Sequence, residues 1–352
     1  MASEKKLMKG NEALAEAAIR SGCKCYFGYP ITPQTEIAAY MSKRMPKVGG
    51  VFLQAESEIA AINMVYGAAS SGTRCMTSSS SPGISLKSEG ISYLAGSDLP
   101  CVIVNVQRGG PGLGGIQPSQ SDYYMAAKAG GHGDFHMLVF APSSVQEMAD
   151  MAAMAFENAD KYRMPAMIFA DGLLGQMMEP VEFPEITPDA PEKPWACTGH
   201  EMKRKHNIIN SLYLVPEELE KSNIERFKRY ETVEKELCLW DEYLCGDAEI
   251  IVTAYGASAR IARSAVTAAR AEGIKAGLIR PKTLWPFPKQ AYVNNLDTAK
   301  AFLSVEMSMG QMVDDVRLAI ECARPVHFFG HTGGVVPTPG EVLEKIREIN
   351  AK

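Results

Sequence analysis

Apolar positions along the first 180 residues fall into two alternating patterns. Short, nearly continuous runs occur in "CYFGYP", "VFLQA", "RCMTSSSS", "PCVIVNVQ", "HMLVFAP" and "PAMIFADG". Between them "NEALAEAAIRSG", "PQTEIAAYMSKRM", "SEIAAINMVYGAASSG" and "SVQEMADMAAMAFENADKY" read as helices. Apolar strands separated by helices predict a mostly parallel sheet covered on both faces. Gly22 and Gly72 stand where helix ends favour a left-handed residue. From about residue 181 the rhythm breaks. Prolines at 180, 184, 188, 191 and 194 predict an extended connector, and "EELEKSNIERFKRYETVEKELCLWDEY" predicts a charged helix, exposed or bridging. The alternation resumes in "EIIVTAYG", "SARIARSAVTAARAEG", "KAGLIRPKTLWPFP", "KAFLSVEMS", "QMVDDVRLAIECA" and "PVHFFGHTGG". The expected architecture is α/β, with two doubly wound, mostly parallel units: residues 1–185, a linker with one long helix at 186–245, and a smaller unit at 246–352.

Composition narrows the classes of function. The 352 residues are 46% hydrophobic and 22% charged, enough for two separate cores. A net charge of −5, with "KRK" at 203–205 as the sole basic cluster, argues against a nucleic-acid binder. The start "MASEKKLMKG" is polar, and no apolar run reaches the length of a membrane span, so a cytoplasmic protein is expected. The eight cysteines include no C-x-x-C pair, which predicts no iron–sulfur cluster in this chain.

Five stretches carry candidate chemistry. In "GYPITPQT", Pro33 suits the first position of a helix, so Thr32 reads as its N-cap, beside a helix start able to hold an anion. In "QAESEIAAINMVYGAASSG", Glu58 opens a helix with almost no polar face. A carboxylate there is expected to be desolvated and to serve as a proton donor or acceptor, or else simply to favour the helix's first turn. The hydroxyl run "TSSSSPGISL" reads equally as a polar pocket, a phosphate cradle or a plain loop. "QRGGPGLGG" spaces Gly110, Gly112 and Gly115 like a dinucleotide fingerprint, but "IQPSQSD" replaces the helix that should follow. Arg108 at its head reads as an anion binder or as the partner of Asp122. "GGHGDFH" sends His132, Asp134 and His136 to alternating faces, against a metal site.

Together, "YPITPQT", "ESEIAAINMVYGAASSG", "SSSSPGISL", "QRGGPGLGG" and "GGHGD" resemble, in order and spacing, the α subunit of thiamine-diphosphate-dependent 2-oxoacid:ferredoxin oxidoreductases. "GASARIA", "RPKTLWPFP", "EMSMGQMVDDVRLAI" and "GGVVPTP" resemble the transketolase C-terminal-like domain of the same subunit. The match is nearest to the 2-oxoisovalerate (3-methyl-2-oxobutanoate) branch, with 2-oxoglutarate enzymes next. The resemblance implies a thiamine-diphosphate-binding-fold pyrimidine domain joined to a transketolase-like one. It implies that Glu58, nine residues before Gly67, bonds the aminopyrimidine of the cofactor, with Glu56 in reserve. It also implies that Thr32 and Arg108 hold the substrate carboxylate and that Pro30, Ile31, Ser81 and Gly83 touch the cofactor. A hydroxyl can accept from a helix backbone and donate to a carboxylate at once, so Thr32 is expected to cap and bind together. No G-D-G followed by N-N is present, which implies that a β subunit holds the diphosphate and Mg²⁺. A small ferredoxin-like subunit, ferredoxin, coenzyme A and a second copy of the chain complete the implied partners. Two competing readings are a non-catalytic scaffold and a Rossmann-type dehydrogenase.

Overall fold

The computed structural model describes residues 5–183 and 190–352. The expected boundary between residues 185 and 186 lies outside the described residues. The first half runs β1 (Lys6–Lys9), α1 (Gly10–Arg20), β2 (Cys25–Gly28), α2 (Thr35–Arg44), β3 (Val51–Gln54), α3 (Glu58–Ser70) and β4 (Cys75–Ser79). It continues with α4 (Ser81–Gly96), β5 (Cys101–Gln107), β6 (Leu138–Phe140), α5 (Val145–Tyr162), β7 (Pro165–Asp171), α6 (Gly172–Gln176) and β8 (Met178–Val181). After α7 (Pro216–Glu236) come β9 (Trp240–Tyr243), β10 (Ile250–Thr253), α8 (Gly256–Ala271), β11 (Ala276–Pro281) and β12 (Thr283–Trp285). The chain closes with α9 (Lys289–Val293), β13 (Ala301–Glu306), α10 (Met312–Ala319), β14 (Val326–Gly330) and α11 (Pro339–Asn350).

A seven-stranded sheet has the order β12-β6-β7-β5-β4-β2-β3, and a five-stranded sheet the order β14-β13-β10-β11-β9. Strands β2 to β7 pair in parallel, as do β10, β11, β13 and β14. Every residue of β4, β5 and β7 is buried, the pattern expected of strands covered on both faces. Gly22 and Gly72 have φ of +83° and +80°, as helix ends ask of glycine.

Three pairings escape an apolar-run reading. Polar β1 pairs antiparallel with β8 at the head of the chain. Within the expected linker, β9 adds an antiparallel edge to β11. Most notably, β12 leaves the second half to pair antiparallel with β6, forming one edge of the first sheet. The helix α7 packs on the first sheet's side of the chain through buried residues. Arg226, 3% exposed, bonds Asp98 and the Gly96 carbonyl, and Tyr230 packs on His136 and Trp285.

Candidate functional site

The turn after β2 departs from expectation. Thr32 does not cap a helix: the Thr32–Pro33 peptide is cis, the Gln34 N–H bonds the Ile31 carbonyl at 3.2 Å, and α2 begins only at Thr35. This is the turn that a cis proline at the third position forms. Pro30 and Thr32 are exposed and Ile31 half-buried, so the turn lies at the surface beyond the carboxyl end of β2.

Arg108, just past the end of β5, is 7% exposed. Its Nη1 donates to the Thr32 carbonyl at 3.0 Å and its Nη2 to the Leu113 carbonyl at 3.2 Å, while the buried Nε has no partner among the described residues. The structure thus brings Arg108 to Thr32 and removes the alternative pairing with Asp122. That carboxylate accepts from Ser81 at 2.6 Å and Asn105 at 2.9 Å. The glycine loop folds over the guanidinium. Arg108 bridges Pro118, and Gly114, at φ +59°, would put a Cβ 1.7 Å from the Gly109 carbonyl oxygen. As expected, no helix follows Gly115. The loop after β14 packs against one side of it, with Gly334 so close on Gln117 that a Cβ would fall 2.3 Å away.

The hydroxyl run divides by strand alternation. Ser78 meets Tyr26 and Gln34, whereas the Thr77 and Ser79 hydroxyls are buried and have no partner among the described residues. Ser81, at the start of α4, has its hydroxyl committed: besides bonding Asp122, it accepts the Arg108 backbone N–H at 3.0 Å. Two residues on, Gly83 lies against Glu58, where an added Cβ would fall 2.1 Å from Ser79 Oγ and 2.7 Å from Glu58 Oε1.

Glu58 begins α3 after Ser57, whose hydroxyl accepts the Ala60 N–H at 3.1 Å. Glu58 is 6% exposed and Glu56 is exposed, which separates the two carboxylates that the sequence left in competition. The helix itself is not buried all round. Ile59 is 50% exposed, Asn63 and Gly67 share its face, and a Cβ on Gly67 would meet nothing within 4 Å. The first turn of α4 therefore joins two groups: Ser81 ties down the arginine and Gly83 makes room for the glutamate.

One group went unread in the sequence. Lys87, on the same face of α4 as Gly83, is fully buried, with its Nζ 3.4 Å from the Glu58 carbonyl oxygen. Burial pushes its ammonium down to about 8, against the upward pull of Glu58. The spacing Gly83, Lys87, Gly90 was its available signal, four and three residues apart on one helix face. His132, Asp134 and His136 do not converge: His136 stacks on Trp285 and edges Tyr230, while the other two line a separate surface cleft.

Comparison with known proteins gives this geometry a context. Residues 16–237 match the family model "Pyruvate flavodoxin/ferredoxin oxidoreductase, thiamine diP-bdg", and 248–342 match "Pyruvate:ferredoxin oxidoreductase core domain II". The chain is 52% identical to the ketoisovalerate oxidoreductase subunit VorB of Methanothermobacter thermautotrophicus, over 97% of each chain. It is 36% identical to the 2-oxoglutarate synthase subunit KorA of Methanothermobacter marburgensis, over 98% of this chain and 99% of that one. Among solved structures it is similar to the 2-oxoglutarate:ferredoxin oxidoreductase of Magnetococcus marinus, solved with 2-oxoglutarate, coenzyme A and succinyl-CoA bound. That likeness has a TM-score of 0.86 at 27% identity and covers 98% of this chain but 65% of that one.

Proposed function

Because the chain belongs to the 2-oxoacid:ferredoxin oxidoreductase family, we propose that it is the pyrimidine-side subunit of an enzyme that oxidatively decarboxylates 2-oxoisovalerate to its acyl-CoA, with ferredoxin as electron acceptor. The observation that carries this reading is Arg108, a buried guanidinium that, among the described residues, is engaged by the Thr32 and Leu113 main-chain carbonyls while its Nε has no partner. A cation so placed is suited to an incoming carboxylate. The Thr32 hydroxyl adds a neutral donor.

The residues fit thiamine diphosphate: Gly83 lets the Ser79 hydroxyl and the Glu58 carboxyl come close against the start of α4, the buried Thr77 and Ser79 hydroxyls have no partner among the described residues, and the carboxyl beside them is itself buried. When bound, that cofactor supplies a nucleophilic carbon for the 2-oxo carbonyl and a sink for the electrons released with carbon dioxide. Glu58 Oε1 holds and returns a proton at a ring nitrogen of the aminopyrimidine. Pro30, Ile31 and Gly83 line the approach, and Ser81 acts by fixing Arg108. A β subunit supplies the diphosphate and Mg²⁺ contacts, this chain carries no iron–sulfur cluster, and the assembly works in the cytoplasm.

Substrate preference follows from the loop over Arg108. Residues 109–120 contain no charged side chain, and Leu113 and Ile116 are 82% and 57% exposed. This favours an aliphatic substrate over one with a distal carboxylate. Co-expressed with its β partner, the chain should turn over 2-oxoisovalerate in preference to 2-oxoglutarate and pyruvate. Purified alone under anaerobic conditions it should be colourless and inactive. A strong preference for 2-oxoglutarate would overturn the substrate, and turnover by the lone chain would overturn the shared site.

Gly83→Ala tests the cradle. Alanine favours a helix over glycine by roughly 0.5–1 kcal/mol, so the melting temperature of the variant should change by only a few degrees. Its methyl group must nevertheless displace the Ser79 hydroxyl and the Glu58 carboxyl, and turnover should fall by about a hundredfold. Wild-type kcat in Gly83→Ala would show that Glu58 is not held against Gly83 during reaction.

A further inference from the structure

Strand β5 ends its ladder with β7 at Gln107, so Arg108 is the first residue whose main chain no longer has that neighbour to place it. Its N–H turns instead to the hydroxyl of Ser81, the first residue of α4, at 3.0 Å. A hydroxyl has one hydrogen to give. Two acceptors lie within its reach, the Arg108 carbonyl at 3.1 Å and Asp122 Oδ2 at 2.6 Å, and the carboxylate is both the nearer and the charged one. The placing of Arg108 therefore passes through Ser81 to Asp122.

Asp122 is itself held from two sides. Asn105 and Gln107 share one face of the buried strand β5, where an amide without hydrogen bonds is costly. Both bond this one residue: Asn105 Nδ2 donates to the same Oδ2 at 2.9 Å, and Gln107 Oε1 accepts the Asp122 N–H at 3.3 Å. Asn105 Oδ1 also accepts the Ser81 N–H at 3.1 Å, which closes a ring through α4, β5 and Asp122. On the other side, the residues flanking Asp122 are fastened to the second half. Gln120 Oε1 accepts from Ser258 Oγ at 2.7 Å and from the Met307 N–H at 3.0 Å, and its Nε2 donates to the Tyr255 carbonyl at 2.9 Å. Tyr123 donates to Asp315, and Gln311 Oε1 accepts the Tyr124 N–H at 2.8 Å. A valine at 105 would extend the strand without these demands. What the ring adds is a fixed main chain beneath the guanidinium.

We propose that Asp122 is a positioning residue for Arg108, an acceptor that fixes the Ser81 hydroxyl and through it the main chain from which the guanidinium reaches the Thr32 turn. This rests on the assignment of Arg108 to the substrate carboxylate above. The test is a double-mutant cycle in the assembled enzyme, with kcat and KM measured for 2-oxoisovalerate and pyruvate. Asp122→Ala should raise KM about tenfold for both substrates and change kcat by less than about threefold, the mark of binding lost equally from substrate and transition state. Asp122→Asn still offers one oxygen to both Ser81 and Asn105, so it should return KM to within about threefold of wild type. In an Arg108→Leu background, Asp122→Ala should cost less than about a further twofold in kcat/KM, because the residue it positions is gone. An aspartate that only stabilised the fold would cost the same factor in both backgrounds. If Asp122→Ala does not assemble with the β partner, Ser81→Ala breaks the same path one step further on and goes through the same cycle.

Equal losses in the two backgrounds, an unchanged KM in Asp122→Ala, or no recovery in Asp122→Asn would each overturn the positioning role and leave Arg108 its own. Undiminished kcat/KM in Arg108→Leu would overturn both.

Discussion

Glu58→Gln, in the assembled enzyme, should keep the fold and the subunit contacts and lose between about a hundredfold and ten-thousandfold in kcat. The amide has nearly the shape of the carboxyl, so it still fits beside Gly83 and beneath Ser79. What it lacks is an oxygen that can take up and return a proton. Glu56→Gln is the matched control. That residue is exposed and outside the space that Gly83 leaves, so its amide should cost less than threefold, within the roughly 0.5 kcal/mol typical of surface changes. Steady-state rates with 2-oxoisovalerate, together with gel filtration of each complex, make the comparison. A severe loss in Glu56→Gln with a mild one in Glu58→Gln would transfer the proton-handling role to the exposed residue.

Arg108→Leu should lower kcat/KM by roughly 10- to 150-fold for every 2-oxoacid, the equivalent of about 1.5–3 kcal/mol for a hydrogen bond to a charged group. Because all these substrates share the carboxylate, their ranking should survive. The guanidinium also serves the Thr32 and Leu113 carbonyls, and its loss leaves both without that donor. Thr32→Val separates the two effects: it removes the hydroxyl but keeps the carbonyl that Arg108 holds, so it should weaken binding less while keeping the same ranking. Loss of one substrate alone in Arg108→Leu would make this arginine a reader of the substrate's far end.

Sequence alone revealed the parallel core because β4, β5 and β7 are buried on both sides and so are apolar or hydroxylic apart from Asn105, Gln107 and Asp171. The strands it missed are of another kind. Lys6–Lys9 and Trp240–Tyr243 are half-exposed edge strands whose pairing comes from distant partners rather than from their own pattern. Thr32 misled for a local reason: Thr-Pro fits a helix start and a cis-proline turn equally well, and tertiary contacts with Arg108 and Gln34 accompany the second. The apolar face of α3 promised burial on every side, yet among the described residues nothing covers Ile59, Asn63 and Gly67. Arg108 was legible as a cation at a strand end, but its freedom from Asp122 depended on Ser81 and Asn105 claiming that carboxylate. Lys87 was hidden by its chemistry, since a lysine in a serine-rich helix reads as solvent-facing.

The strand Thr283–Trp285 has a bearing on how such a chain can be recombined. It is donated from the second half to the edge of the first sheet, with Thr283 opposite Phe140 and Trp285 opposite Val139. A hybrid grafting the second half of a distant relative onto this first half would bring a foreign strand to that edge. A slip of one residue would turn its buried side chains to the wrong face. Removing the strand would leave Leu138–Phe140 as a raw, apolar margin open to pairing with other molecules. The first half thus takes one edge of its sheet from the second, and changes at that edge should be matched on both sides of the pairing.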